Sequence, residues 1–236
     1  MRKYKTLLFD VDDTLLDFAA AERASLSMLL ESQGVLYDAE NHKIYSQINK
    51  RLWKSFEEGL ISSDELFNTR FTLLFKELGK SVDGPELERH YRRGLGEGHY
   101  LMSGALEVIT ELKDHFDLYI VTNGISQTQD RRLKLSGLFP SFKAVFVSED
   151  TGFQKPMKGF FDFVFERIPN CELSETLIIG DSLTADIKGG ILAGIDTCWV
   201  NPNGIENTTE WKPTYEVKSL DELYNVLEVT RKTESV

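Results

Sequence analysis

The feature that most constrains this chain is the way its first apolar run ends. Leu7-Leu8-Phe9 reads as a short buried strand, and Asp10-Val11-Asp12-Asp13-Thr14 follows it directly. Carboxylates this close repel one another and lose hydration when covered, so a fold can carry them only with a compensating cation or proton. Acids at the end of a buried strand therefore point to a hard divalent cation and to a carboxylate held for chemistry.

The rest of the chain supplies an architecture for that strand. From about Leu101 onward, helical patterns over 105–113, 127–136, 158–167 and 184–193 alternate with apolar runs over 118–122, 144–148, 176–179 and 197–200. Gly137, with Pro140 beyond it, and Gly194 are helix stops. Ser219-Leu220-Asp221-Glu222 has the form of a capping box that opens a last helix. Such alternation implies a parallel sheet covered on both faces, and the strand over 5–10 belongs to it by character. Between 15 and 98 only helical patterns occur. One covers 20–32. A second, over 39–58, has Ile44, Ile48, Leu52 and Phe56 on one stripe. A third opens at Ser62-Ser63-Asp64-Glu65 and turns Phe67, Phe71, Leu74, Phe75 and Leu78 inward; a fourth has Pro85 in its first turn. The predicted class is α/β: a Rossmann-like parallel sheet built from 1–14 and 99–236, interrupted by a helical-bundle module over 15–98. The polar tail, 231–236, is predicted to fray.

Charge narrows the function. The 236 residues carry a formal net charge of −11, which argues against a general binder of nucleic acid or of anionic membranes. A small anionic substrate remains open, because a bound metal and one lysine reverse a local field. Cys171 and Cys198 form neither a disulfide framework nor a metal-ligand spacing, which suits a reducing cytoplasm. His42, His90, His99 and His115 are scattered without paired helical spacing. The apolar run after the basic start breaks at Asp10, too early for a signal peptide, and no run is long enough to span a bilayer. The expected location is the cytoplasm.

In open parallel sheets, ligands bind beyond the carboxyl ends of the strands. The residues in those places are Asp10, Asp12 and Thr14; Thr122 and Asn123; Lys155 in the loop Phe153-Gln154-Lys155-Pro156; and Gly180-Asp181-Ser182 with Asp186 shortly after. Oxygen ligands suit Mg²⁺, and lysine and hydroxyl donors suit phosphate oxygens. Asp13 and Gly180 read as turn residues.

In this order the residues resemble the four motifs of the haloacid dehalogenase-like (HAD) superfamily: Asp10-Val11-Asp12-Asp13-Thr14, then Thr122, then Lys155, then Gly180-Asp181-Ser182-Leu183-Thr184-Ala185-Asp186. The helical insertion resembles that family's cap of the first type, and the resemblance covers essentially the whole chain. The first and fourth motifs are specific; a lone Thr and Lys carry little. The resemblance implies Asp10 as a nucleophile that forms an aspartyl-phosphate, and Asp12 as general acid to the leaving alcohol, then base for water. It implies a phosphate-binding set of Thr122, Asn123 and Lys155, with Lys155 also restraining Asp10. Mg²⁺ would sit on Asp10, the Asp12 carbonyl and Asp181. Asp186 would orient Lys155 or a metal-bound water, and Thr14 would add a supporting hydrogen bond.

The second acid selects the reaction. In family terms the dehalogenases and the phosphonate-cleaving members lack the acid that Asp12 supplies, so phosphoryl transfer is implied. Sugar-phosphate mutases usually have Gly where this chain has Asp13, and Asp12-Asp13-Thr14-Leu15 resembles the nucleotidase-like branch instead. The expected function is a 5′-nucleotidase acting on nucleoside monophosphates, pyrimidine ones in particular. A small sugar- or metabolite-phosphate phosphatase or phosphomutase is the alternative, and a catalytically silent phosphate binder the non-enzyme one. A dinucleotide binder is excluded, because carboxylates occupy the place of its glycine-rich turn. The expected partner is a small phosphorylated metabolite, with no nucleic acid polymer and no membrane, and the expected state is a monomer or homodimer. In the cap, Phe18 is the candidate to stack on a base, and Arg70 is a candidate to reach a base or phosphate, against an ordinary surface role.

Overall fold

Strand β1 (Thr6–Phe9) is buried at every position, as a strand inside a parallel sheet must be. The computed structural model describes residues 3–231. After β1 come α1 (Phe18–Ser32), α2 (Ala39–Glu57), α3 (Ser63–Glu77) and α4 (Gly84–Glu97), all helices, then α5 (Ala105–Leu112). The remainder alternates: β2 (Asp117–Thr122), α6 (Ser126–Leu135), β3 (Ala144–Val147), α7 (Ser148–Thr151), α8 (Lys158–Arg167), β4 (Thr176–Gly180), α9 (Lys188–Ala193), β5 (Asp196–Val200), β6 (Tyr215–Val217) and α10 (Leu223–Val226). Two compact units result, one running to Asp17 and resuming at His99, the other Phe18–Gly98.

The strands form one six-stranded sheet of order β3-β2-β1-β4-β5-β6, parallel throughout. This is a Rossmann-like sheet whose order reverses at β1, and the crevice for a ligand lies where it reverses. Phe9 pairs with Ile120 of β2 and with Ile179 of β4, so the chain leaves all three strands at one edge. Alternation along β1 feeds two cores. Leu7 and Phe9 pack with Val108, Ile109 and Leu112 of α5, while Leu8 packs with Phe160, Phe161 and Val164 of α8.

Four details depart from the sequence expectation. The sheet unit extends to Asp17, not 14: Leu15 and Leu16 are buried in its core, and Met102 N–H donates to Leu15 O at 2.9 Å. The helix predicted over 184–193 starts as a π turn (Leu183–Ile187) before α9. The capping box at Ser219 does not form. Ser219 makes no side-chain cap bond, and Glu222 instead accepts from the Lys218 backbone N–H at 3.3 Å. Strand β6 was not predicted; its three residues are too few to show a period. The predicted fraying of the tail lies, beyond Arg231, outside the described residues.

In the helical unit, Asp38, Ser62 and Asp83 cap α2, α3 and α4 by accepting from backbone N–H groups, the ordinary helix-start chemistry. Arg70 is corrected here. It is buried in this unit, where its guanidinium forks onto Glu88 through two 2.6 Å bonds and reaches Asn49 Oδ1 at 3.3 Å. Phe67, Phe71 and Tyr91 lie against it. Those donors hold the bundle interior, so Arg70 is not a surface residue. Among the described residues, no helix is long and apolar enough to cross a membrane.

Candidate active site

The sheet edge gathers the predicted acids around one lysine. The Asp10 N–H donates to Ile179 O at 2.9 Å, which continues the ladder and fixes where the side chain starts. Lys155, only 1% exposed, places its ammonium 2.7 Å from Asp10 Oδ1, 2.6 Å from Asp186 Oδ1 and 2.7 Å from Val121 O. All three ammonium donors are thereby used, as burial of the charge demands. Burial works to lower the Lys155 pKa, but Asp10 and Asp186 beside it outweigh that and raise it.

The loop carrying the lysine is fixed by Asn123. Its Nδ2 donates to Lys155 O at 2.9 Å, and its Oδ1 accepts from Lys155 N–H at 2.8 Å. The Asn123 amide thus grips the lysine's backbone, a positioning contact that the sequence does not disclose. Asp186 Oδ2 accepts from the Ser182 N–H at 3.1 Å. Gly180 does more than turn the chain, because a Cβ there would stand 2.2 Å from Asp186 Oδ2. Asp13 has φ 58°, the left-handed backbone of a turn residue.

Asp10, Asp181 and Asp186 each present a carboxylate oxygen within 4.8 Å of the others. Burial pushes the Asp10 carboxyl up to about 7, with Lys155 opposing and Asp186 and Asp12 adding to the rise. Burial, then Asp10 and Asp186, raises Asp181 well above the carboxylate range. A donor set made only of mutually repelling oxygens, with one lysine against three acids, fits a hard dication. Asp10 and Asp181 could hold it, while both Asp186 oxygens already accept from Lys155 and Ser182. Thr14 Oγ1 donates to Asp181 Oδ1 at 3.5 Å, and Trp199 Nε1–H to Asp181 O at 2.8 Å.

A pH dependence follows. Without a divalent cation, the stability tied to protonated Asp10 is present near pH 4 and is lost as pH rises toward about 7, and the raised Asp181 carboxyl acts in the same direction. Cation binding needs the deprotonated oxygens. Mg²⁺ should therefore raise the melting temperature more at pH 8 than at pH 5. At about 100 times Kd the gain is ~2.7 kcal/mol, roughly 5–10 °C for a chain of this size. Equal shifts at both pH values, read by thermal denaturation, would remove the cation from these acids.

Asp12 stands apart from the cluster. Arg132 Nη1 donates to its Oδ1, and Gln129 Nε2 donates to its Oδ2 at 2.8 Å. Gln129 Nε2 also reaches Thr122 Oγ1 at 3.0 Å. Neither Gln129 nor Arg132 was identified from sequence, though their spacing of three on the helix after Thr122 puts both on one face. The structure thus brings together Asp10, Asp12, Thr14, Thr122, Lys155, Asp181 and Asp186 in the sheet unit. Phe18 begins α1 in the helical unit and is half-buried.

Comparison with known proteins bears on the same residues. The profile of a family described as haloacid dehalogenase-like hydrolase matches residues 4–194. Pyrimidine 5′-nucleotidase PynA of Streptococcus pneumoniae is 46% identical over 227 residues, 95% of each chain. Pyrimidine 5′-nucleotidase YjjG of Escherichia coli is 32% identical over 225 residues, 95% of this chain and 98% of that one. The crystal structure of the HAD-hydrolase YfnB from Bacillus subtilis bound to magnesium matches with a TM-score of 0.92 at 58% identity, covering 96% of this chain and 100% of that one.

Proposed function

We infer the reaction from one premise: the chain belongs to the haloacid dehalogenase-like hydrolase family. Its proposed activity is Mg²⁺-dependent hydrolysis of phosphomonoesters, with pyrimidine nucleoside 5′-monophosphates as the substrates. The observation that carries this is the division of acids at one sheet edge. Asp10 is bound to the buried lysine, while Asp12 is turned to Gln129 and Arg132. One acid can make a bond to phosphorus while the other handles a proton. Two nucleotidases at 46% and 32% identity support the substrate.

In the proposed sequence, an Asp10 oxygen attacks phosphorus as the bond to the ester oxygen breaks, giving an aspartyl-phosphate. Asp12 delivers a proton to the departing alkoxide. It then takes a proton from a water whose oxygen attacks phosphorus, and the Asp10–phosphorus bond breaks to release inorganic phosphate. Thr122 holds a phosphoryl oxygen, and Lys155 gives up one of its three contacts to reach another while it keeps Asp10 aimed. Held by Asp10, the Asp12 carbonyl and Asp181, Mg²⁺ would neutralise charge on the transferring group.

Phosphate release with Mg²⁺ across nucleoside monophosphates and sugar phosphates tests this. Uridine and thymidine 5′-monophosphates should exceed purine and sugar substrates in kcat/KM by about tenfold or more, ~1.4 kcal/mol of discrimination. Equal, feeble rates on all nucleotides would overturn the substrate assignment. No release from any phosphomonoester would overturn the phosphatase itself.

A further inference from the structure

We propose that Gln129 and Arg132 form a cradle that positions Asp12 for proton transfer, an inference that rests on the reading of Asp12 as the proton carrier. Both side chains come from α6 and both are 1% exposed. A buried guanidinium and a buried amide are costly to a fold unless their donors are used. Here the donors on Arg132 Nη1 and Gln129 Nε2 converge on one partner. Arg132 Nη1 donates to Asp12 Oδ1 and, at 2.9 Å, to Gln129 Oε1. Gln129 Nε2 donates to Asp12 Oδ2 at 2.8 Å and to Thr122 Oγ1 at 3.0 Å. The Gln129 amide is oriented without ambiguity, because arginine only donates and must face the amide oxygen.

Asp12, Gln129 and Arg132 close a ring, joined to Thr122 through Gln129, and its members fix one another's rotamers. It also ties the proposed proton carrier to a hydroxyl proposed to hold the phosphoryl group. A group acting in proton transfer must stand within hydrogen-bond reach of the atom it serves, and displacement by about 1 Å can lower a rate ~10²-fold. Asp12 keeps 29% of its side chain exposed, so the cradle grips it from behind and leaves a face open. Gly124 makes room: a Cβ there would lie 2.6 Å from Gln129 Nε2.

An ordinary buried ion pair would stabilise the fold and leave the chemistry indifferent to the leaving group. A positioning cradle would not. Steady-state kinetics of the Mg²⁺-loaded full chain separate the two, using a pyrimidine nucleoside monophosphate and p-nitrophenyl phosphate, whose phenolate departs without a proton. Arg132→Met and Asp12→Asn should each lower kcat/KM on the nucleotide, which reports the first transfer to Asp10, by ~10²-fold or more. Both should lower kcat/KM on the aryl ester by less than about tenfold, because that first transfer needs less acid assistance, while kcat falls on both substrates through the shared hydrolysis of the aspartyl-phosphate. Arg132→Lys, which restores a donor without the fork, should recover part of the loss. Should Arg132→Met fail to fold by circular dichroism, Gly124→Ala carries the test, since it keeps the charges and displaces Gln129. If Asp12→Asn shows the leaving-group dependence and the Arg132 and Gly124 variants do not, the cradle is overturned and the phosphatase reading stands. If Asp12→Asn itself shows none, Asp12 is not the proton carrier and both readings fall.

Discussion

Asp10→Asn should abolish turnover, with kcat falling on the order of 10⁴-fold or more, as removal of a nucleophile does. The substitution is nearly isosteric and keeps an oxygen for Lys155, whose ammonium lies 2.7 Å away. It removes a charge from a site where burial raises the carboxyl to about 7, so the folded state should survive at neutral pH. Phosphate release measures the rate. The covalent step is read separately, by acid quench of the enzyme with substrate labelled at phosphorus. The parent should retain base-labile label on the protein and the variant none. A variant retaining turnover within about tenfold of the parent would mean that water attacks phosphorus directly, with Asp10 serving only the cation.

How far the sequence discloses the site depends on how local each cause is. Asp10 is legible because its strand and its charge are adjacent: an apolar run that ends in acids admits few readings. The sheet follows from periods that need only short windows. Lys155 and Asp186 became legible through motif order alone, since the 2.6 Å contact that binds them joins separate loops. Gln129 and Arg132 escaped for the opposite reason. On a helix whose mean hydropathy is polar, they read as solvent-facing, and what buries Arg132 is an acid 120 positions away. Arg70 escaped in the same way, through Glu88 on the next helix. The type of Asn123 announces hydrogen bonding, not that its amide will grip the backbone of Lys155. The π turn before α9 has no compositional sign, yet it sets Asp186 beside Lys155 and against the space that Gly180 leaves.

Lys155→Met should remove both activity and stability, and the two losses have separable causes. Methionine matches the length of the aliphatic stem, so packing is nearly kept. What is lost is the ammonium between Asp10 and Asp186, both buried. Deleting one partner of a buried ion pair leaves uncompensated charge and costs about 3–5 kcal/mol, roughly 6–20 °C in melting temperature for a domain of this size. Lys155 is also what holds the Asp10 and Asp181 carboxyls down against burial. Without it they ionise at still higher pH, and their ionisation opposes folding more strongly. The variant's deficit, measured in chelator to exclude divalent cations, should therefore be small near pH 5 and widen toward pH 8. A deficit independent of pH would mean that the damage is packing. The double variant Lys155→Met/Asp186→Asn completes the argument. Removing one acid along with the lysine restores most of the charge balance, so melting temperature should recover much of its loss at pH 8. Turnover should stay at least about 10³-fold down, because no cation of the protein then holds the phosphoryl oxygens or aims Asp10. Recovery of stability without recovery of rate would place Lys155 in the chemistry as well as in the fold; recovery of both would leave it a structural counter-ion.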